Sequence, residues 1–163
     1  YPELSKLEIH NLISYVERDL LLKYILNMDL DIEIEIYGYG WGSDEDFLPH
    51  YKGVLEYGEQ ISEKYNSAKY ALVIGGYILQ QRTLEAAASG AIPLVFEAAE
   101  GAELAERDLY RDSLLFFKKP DDLRNLLRDD RTVDLDYLVD RNSYERFVGR
   151  ILSSVRSHLQ STG

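Results

Sequence analysis

The sequence predicts an α/β fold in which a parallel sheet is covered by helices on both faces. Three observations point to it. Apolar runs at residues 71–75, 92–95 and 114–117 alternate with segments of helical pattern, the arrangement that builds strand–helix–strand crossovers. These runs carry almost no polar residues, as expected of strands buried on both sides. Turn and helix-start residues (Gly75, Gly76, Gly90 and Pro120) fall at the joints between the two kinds of segment. With 163 residues, no internal repeat and no Pro- or Gly-rich linker, residues 1–163 are expected to form one domain.

In chain order, residues 5–28 read as a helix, with Leu12, Ile13, Val16, Leu20, the stem of Lys23 and Tyr24 near three-and-four spacing. "DIEIEIYG" alternates strictly, placing Ile32, Ile34 and Ile36 on one face and Glu33 and Glu35 on the other. That predicts a strand over 32–37 with one wetter face, near a sheet edge. "YGYGWGSDEDFLPH" follows as a Gly-rich loop, "YKGVLEY" as a short strand and "GEQISEKYNSA" as a short helix. "KYALVIGG" is a buried strand. "QQRTLEAAASG" is a helix that Gly90 stops, and "AIPLVFE" is the next strand. A loop with a short helix, "GAELAERDLYRD", leads to the strand "SLLFFKK". "PDDLRNLLRD" then starts a helix on Pro120 and two acids. From Val133 to Leu159 the chain reads as helical, broken once between Asp140 and Ser143. The chain opens on a helix where a doubly wound unit places its first strand and glycine-rich turn, so that strand is expected to lie outside these residues.

Composition removes several classes of function. Without cysteine there is no disulfide, thiolate zinc site or cysteine nucleophile. His10, His50 and His158 are scattered and share no metal-ligand spacing. No apolar run approaches the roughly 20 residues of a membrane span, and no signal peptide is visible, so a cytoplasmic location is expected. The net charge of −11 opposes nonspecific nucleic-acid binding. A local cluster of cations can still take a small anion. No P-loop is present, and no acidic cluster follows a first strand, which argues against nucleotide-hydrolysing and receiver-like domains.

Ligands of parallel sheets bind beyond the carboxyl ends of the strands, and the candidate residues lie there. Gly75 and Gly76 let a ligand approach backbone N–H groups, or simply make a tight turn. Arg82, at the head of the following helix, suits a phosphate or serves as a solvated surface residue. Glu85 either accepts hydrogen bonds from vicinal hydroxyls or forms an ion pair with Arg82 three residues before it. Ala86, Ala87, Ala88 and Gly90 are small because the helix packs hard on the sheet or because bulk would fill a pocket. Gly38, Gly40 and Gly42 sit in a loop at the end of an alternating strand, a place for close approach to a ligand. Trp41 in that loop either stacks on a flat ring or plugs the loop. The 13 tyrosines suit a binding surface or half-buried core edges. Arg146, Arg150 and Arg156 share the last helix, where a solvated face is the simplest account. No catalytic dyad stands out.

"IEIYGYGW", "YKGVLEYGEQISEKYNSAKYALVIGG" and "QRTLEAAASGAIPLVF" together resemble the C-terminal domain of GT-B glycosyltransferases, closest in pattern to the spore-maturation (CgeB-like) branch of the glycosyltransferase 4 relatives. The resemblance runs from about Ile32 to about Arg150 and includes the closing helices with Arg141 and Glu145. It implies a three-layer, Rossmann-like sandwich, half of a GT-B fold, that holds the nucleotide of a nucleoside-diphosphate sugar. Glu85 matches the carboxylate that contacts the ribose, and Arg82 the basic residue close to the diphosphate. Gly38 and Gly40 match the glycines after the base-side strand. Many retaining members carry a second Glu eight residues before the ribose Glu, and that position is Tyr77 here. The resemblance further implies metal-independent glycosyl transfer and an N-terminal acceptor domain outside this chain, without which the isolated domain is expected to be inactive.

Overall fold

A computed structural model describes residues 6–75, 78–97, 103–129 and 131–161; the side chains of residues 6–14, 103–106 and 160–161 lie outside the described set. Helix α1 (Lys6–Leu26) leads into strand β1 (Ile36–Tyr37), a short 3-10 turn (Trp41–Ser43) and β2 (Tyr51–Gly53). Then α2 (Glu59–Ser67), β3 (Tyr70–Val73), α3 (Gln81–Ala88), β4 (Ile92–Phe96), α4 (Glu103–Tyr110) and β5 (Leu115–Phe117) alternate. Helices α5 (Pro120–Arg128), α6 (Leu135–Arg141) and α7 (Tyr144–Ser161) close the order.

All strand pairings are parallel: β1 with β2, and β3 with β4 with β5. The two-residue pleat sorts the strand side chains into two layers. Ile74, Leu94, Leu115 and Phe117 pack in one cluster with Leu21, Leu22 and Ile25 of α1 and Leu123 of α5. Val73 and Val95 point the other way, into a cluster with Ala87 of α3, Tyr110 of α4, Leu114 and Leu138 of α6. Helices therefore cover both faces of the three-stranded sheet, and the fold is the three-layer, Rossmann-like α/β sandwich.

Three expectations need correction. The strand expected over 32–37 is paired only at Ile36 and Tyr37. Its partner β2 has three residues, and the register shifts between Ile36 and Tyr37, so residues 32–35 find no ladder. The alternation survives in part without pairing: Ile34 and Ile36 reach the core, while Ile32 is exposed. Second, the pairings form two sheets among the described residues, with β1 and β2 separate from the three-stranded sheet. Third, α1 buries Leu21, Leu22 and Ile25, whereas Val16, Leu20 and Tyr24 are exposed. The helix is apolar on two sides, and the one facing β3–β5 and α5 makes the core.

The turn that ends α3 closes as a Schellman motif. Ala91 N–H donates to Ala86 C=O at 3.0 Å and Gly90 N–H to Ala87 C=O at 3.0 Å, with Gly90 at φ 91°. Ala86 and Ala91, both fully buried, pack together with Ala71 of β3. The small residues here thus let α3 lie against the sheet, while Ala88 faces solvent.

Candidate functional site

Helix α3 begins beside the carboxyl end of β3. Gln80, the residue before it, fastens the two together: its amide donates to the Gly75 carbonyl, and its Oε1 accepts from Arg82 Nε at 2.7 Å. Thr83, fully buried, donates to the Ile78 carbonyl at 3.1 Å and accepts from Gln80 N–H at 3.4 Å. Arg82 is therefore held through Nε, and its binding capacity lies in the two terminal nitrogens. Although Arg82 as a residue is exposed, partial desolvation of its guanidinium lowers its pKa; Tyr65 opposes that lowering and the Arg18 charge adds to it. The group remains a cation at neutral pH.

Arg18 was not singled out by sequence. It lies on α1, stacks over the Trp41 ring at 4.6 Å, and bonds Asp19 through Nη2 at 2.8 Å. Its charge acts on Arg82 across the space between α1 and the start of α3, lowering the Arg82 pKa. Trp41 meets the Phe47 ring edge-on at 4.9 Å, so it plugs its loop against the core. Gly38 has φ 122°, and a Cβ there would stand 3.4 Å from the indole nitrogen; Gly40 has φ 87° and an open surrounding. Lys23 ties the same loop to α1 through Asp44 at 2.8 Å and Asp46 at 2.7 Å. The Asp44 hydrogen bond, then the Asp46 one, raises the Lys23 pKa above its usual range, and Lys23 holds the Asp44 carboxyl below the ordinary carboxylate value.

Glu85, half-buried on α3, does not pair with Arg82: among the described residues no ion pair joins them. Its Oε1 accepts from the Tyr57 hydroxyl at 2.9 Å and from Gln81 Nε2 at 2.8 Å. Gln81 Nε2 also donates to the Tyr57 oxygen at 2.6 Å. Tyr65 lies in the same electrostatic neighbourhood. Burial is the main cause of its raised pKa, and the Glu85 charge adds to it.

Of the residues expected from sequence, Gly75 and Arg82 meet through Gln80, and Glu85 joins the loop after β2 through Tyr57. Gly38 and Gly40 lie in the loop bearing Trp41. Gly76 and Tyr77 lie outside the described residues. Two surface grooves among the described residues lie elsewhere. One, of ≈ 880 Å³, is lined by Val16, Leu20, Tyr24, Phe96, Lys119 and Asp121. The other, of ≈ 490 Å³, runs along the start of α7. No helix among the described residues is long and apolar enough to cross a membrane.

Parallel strands with helices packed on both faces define the class of three-layer, Rossmann-like α/β domains. Within that class, a family described as glycosyl transferase-like matches residues 18–148, and the chain belongs to this family. No curated protein and no solved structure matches the chain.

Proposed function

We propose that the chain is the nucleotide-sugar donor-binding domain of a GT-B glycosyltransferase of the CgeB-like branch, acting in the cytoplasm. Membership of the glycosyl transferase-like family supports glycosyl transfer in general. One observation carries the finer reading. Arg82 and Glu85 sit three residues apart on α3, yet each is held by uncharged partners, Gln80 for the cation and Tyr57 and Gln81 for the acid. Neither charge is spent on the other, so both remain for a ligand carrying a phosphate and a diol.

In this reading, Arg82 and the backbone N–H group at Gly75 face the diphosphate and offset the charge that develops as nucleoside diphosphate departs. Glu85 takes a ribose hydroxyl, and the loop with Gly38 and Gly40 lies on the base side. The transferred glycosyl unit passes to an acceptor held by a separate domain, and these 163 residues alone turn over no donor. Tyr77, at the position of the second family glutamate, favours a second reading: a binding or scaffold module with a degenerate donor site.

Calorimetric titration with uridine, guanosine and thymidine diphosphates tests the proposal. One of them is expected to bind, and Glu85→Gln to weaken it about tenfold or more, since a hydrogen bond to a charged group contributes about 1.5–3 kcal/mol. Equal affinity of wild type and variant would refute the role of Glu85. Absence of binding to all three would refute the donor site.

A further inference from the structure

We propose that Tyr57 is the positioning residue for Glu85, fixing one carboxylate oxygen so that the other is presented to a ribose hydroxyl. The inference rests on the donor-binding reading above and names how its acid is aimed. Tyr57 follows β2, 28 residues before Glu85 in the chain, and its hydroxyl reaches Glu85 Oε1 at 2.9 Å. The phenol has a single proton, and it is committed to that bond. The phenol oxygen in turn accepts from Gln81 Nε2 at 2.6 Å, and the same nitrogen donates to Glu85 Oε1 at 2.8 Å. The three side chains close a ring, and all of its contacts to the carboxylate fall on Oε1.

Packing does not account for this placement. Tyr57 is 75% exposed, so its ring gains little from burial. What it does is add a second donor to the carboxylate oxygen that Gln81 also holds, narrowing the orientations open to Glu85. Ordering the acid before the ligand arrives lowers the entropy cost of binding. The Glu85 contact also keeps the donor protonated: the bond to Glu85, and then its negative charge, raise the Tyr57 pKa above the ordinary tyrosine value.

Two measurements test the assignment. First, Tyr57→Phe keeps the ring and removes the hydroxyl. Its affinity for a ribonucleoside diphosphate is expected to fall about two- to tenfold, the cost of ordering at binding a carboxylate that the hydroxyl no longer holds in advance. Its affinity for the matching 2′,3′-dideoxynucleoside diphosphate, which has no diol for Glu85, is expected to stay at the wild-type level. An equal loss for both ligands, or none for either, would overturn the positioning role. Second, the ligand-free protein carrying ring-labelled tyrosine is titrated by NMR. The Tyr57 resonance is expected to titrate above the ordinary tyrosine value of about 10, and Glu85→Gln to bring it down. An unchanged Tyr57 titration would overturn the inference even if no nucleoside diphosphate bound, whereas failure of wild type to bind either ligand would sink only the donor-binding reading.

Discussion

Replacing Ala86 by Leu separates the two reasons for the small residues of α3. Ala86 is 0% exposed, with Ala71 of β3 and Ala91 of the Schellman turn as its buried neighbours. Three alanines in contact leave the helix backbone close to the strand, so a longer side chain must push α3 outward or strain its rotamer. Overpacking of this kind costs about 1–3 kcal/mol. For a chain of this size, each kcal/mol lowers Tm by roughly 2–4 °C, so a fall of about 2–12 °C is expected. Ala88→Leu, on the solvent side of the same helix, is the control and should stay within about 0.5 kcal/mol of wild type. Thermal and urea unfolding followed by circular dichroism would measure both. If Ala86→Leu proved as stable as Ala88→Leu, close packing would be the wrong account. If it also lost nucleoside-diphosphate binding, the small residues would instead line a pocket.

Gly75→Ala is expected to cost about 1–2 kcal/mol through its backbone, because φ is 75° and, among the described residues, no heavy atom beyond its chain neighbours lies within 4 Å of the added Cβ; a neutral effect by urea unfolding would refute a left-handed turn at the end of β3. The Lys23–Asp44 contact predicts a pH dependence of stability. The folded Asp44 carboxyl titrates below its unfolded value of about 3.9, so its stabilising contribution is complete above that pH and is lost as pH falls through the depressed folded value. The Tm gap between wild type and Asp44→Asn should therefore be present near neutral pH and shrink on acidification to about pH 3. A gap independent of pH would show that Asp44 acts through shape rather than charge.

Much of the fold was legible because its strands are short and apolar. β4 and β5 fall where "AIPLVFE" and "SLLFFKK" predict, and α5 starts on Pro120. Legibility failed where a pattern needed a partner to have meaning. "DIEIEI" alternates as a strand does, but a strand requires a neighbour, and the three residues of β2 supply too little. In α1, Val16, Leu20 and Tyr24 form one apolar stripe and Leu21, Leu22 and Ile25 another. Periodicity cannot choose between two stripes; contact with the sheet does. The site shows the same division. Glu85 and Arg82 stand out locally on α3. Tyr57 and Arg18 are distant in sequence, and only the crossover from β2 and the packing of α1 bring them near.

A protein of net charge −11 is an unpromising receptor for an anion until its charges are followed one by one. Salt at physiological strength screens exposed charges beyond about 8 Å, so the local arrangement outweighs the total. Several cations are already committed: Lys23 to Asp44 and Asp46, Arg146 to Asp140, and Arg107 and Lys118 to Glu97, whose side chain is only 4% exposed. Arg82 differs because a neutral amide holds it, which fixes its direction without cancelling its charge. Glu85 is treated the same way by a phenol and an amide. A structural ion pair would have been the simpler use of an arginine and a glutamate three residues apart. Binding each to uncharged donors and acceptors keeps both available, and in the donor-binding reading proposed above that separation suits a ligand with an anionic end and a hydroxylated end.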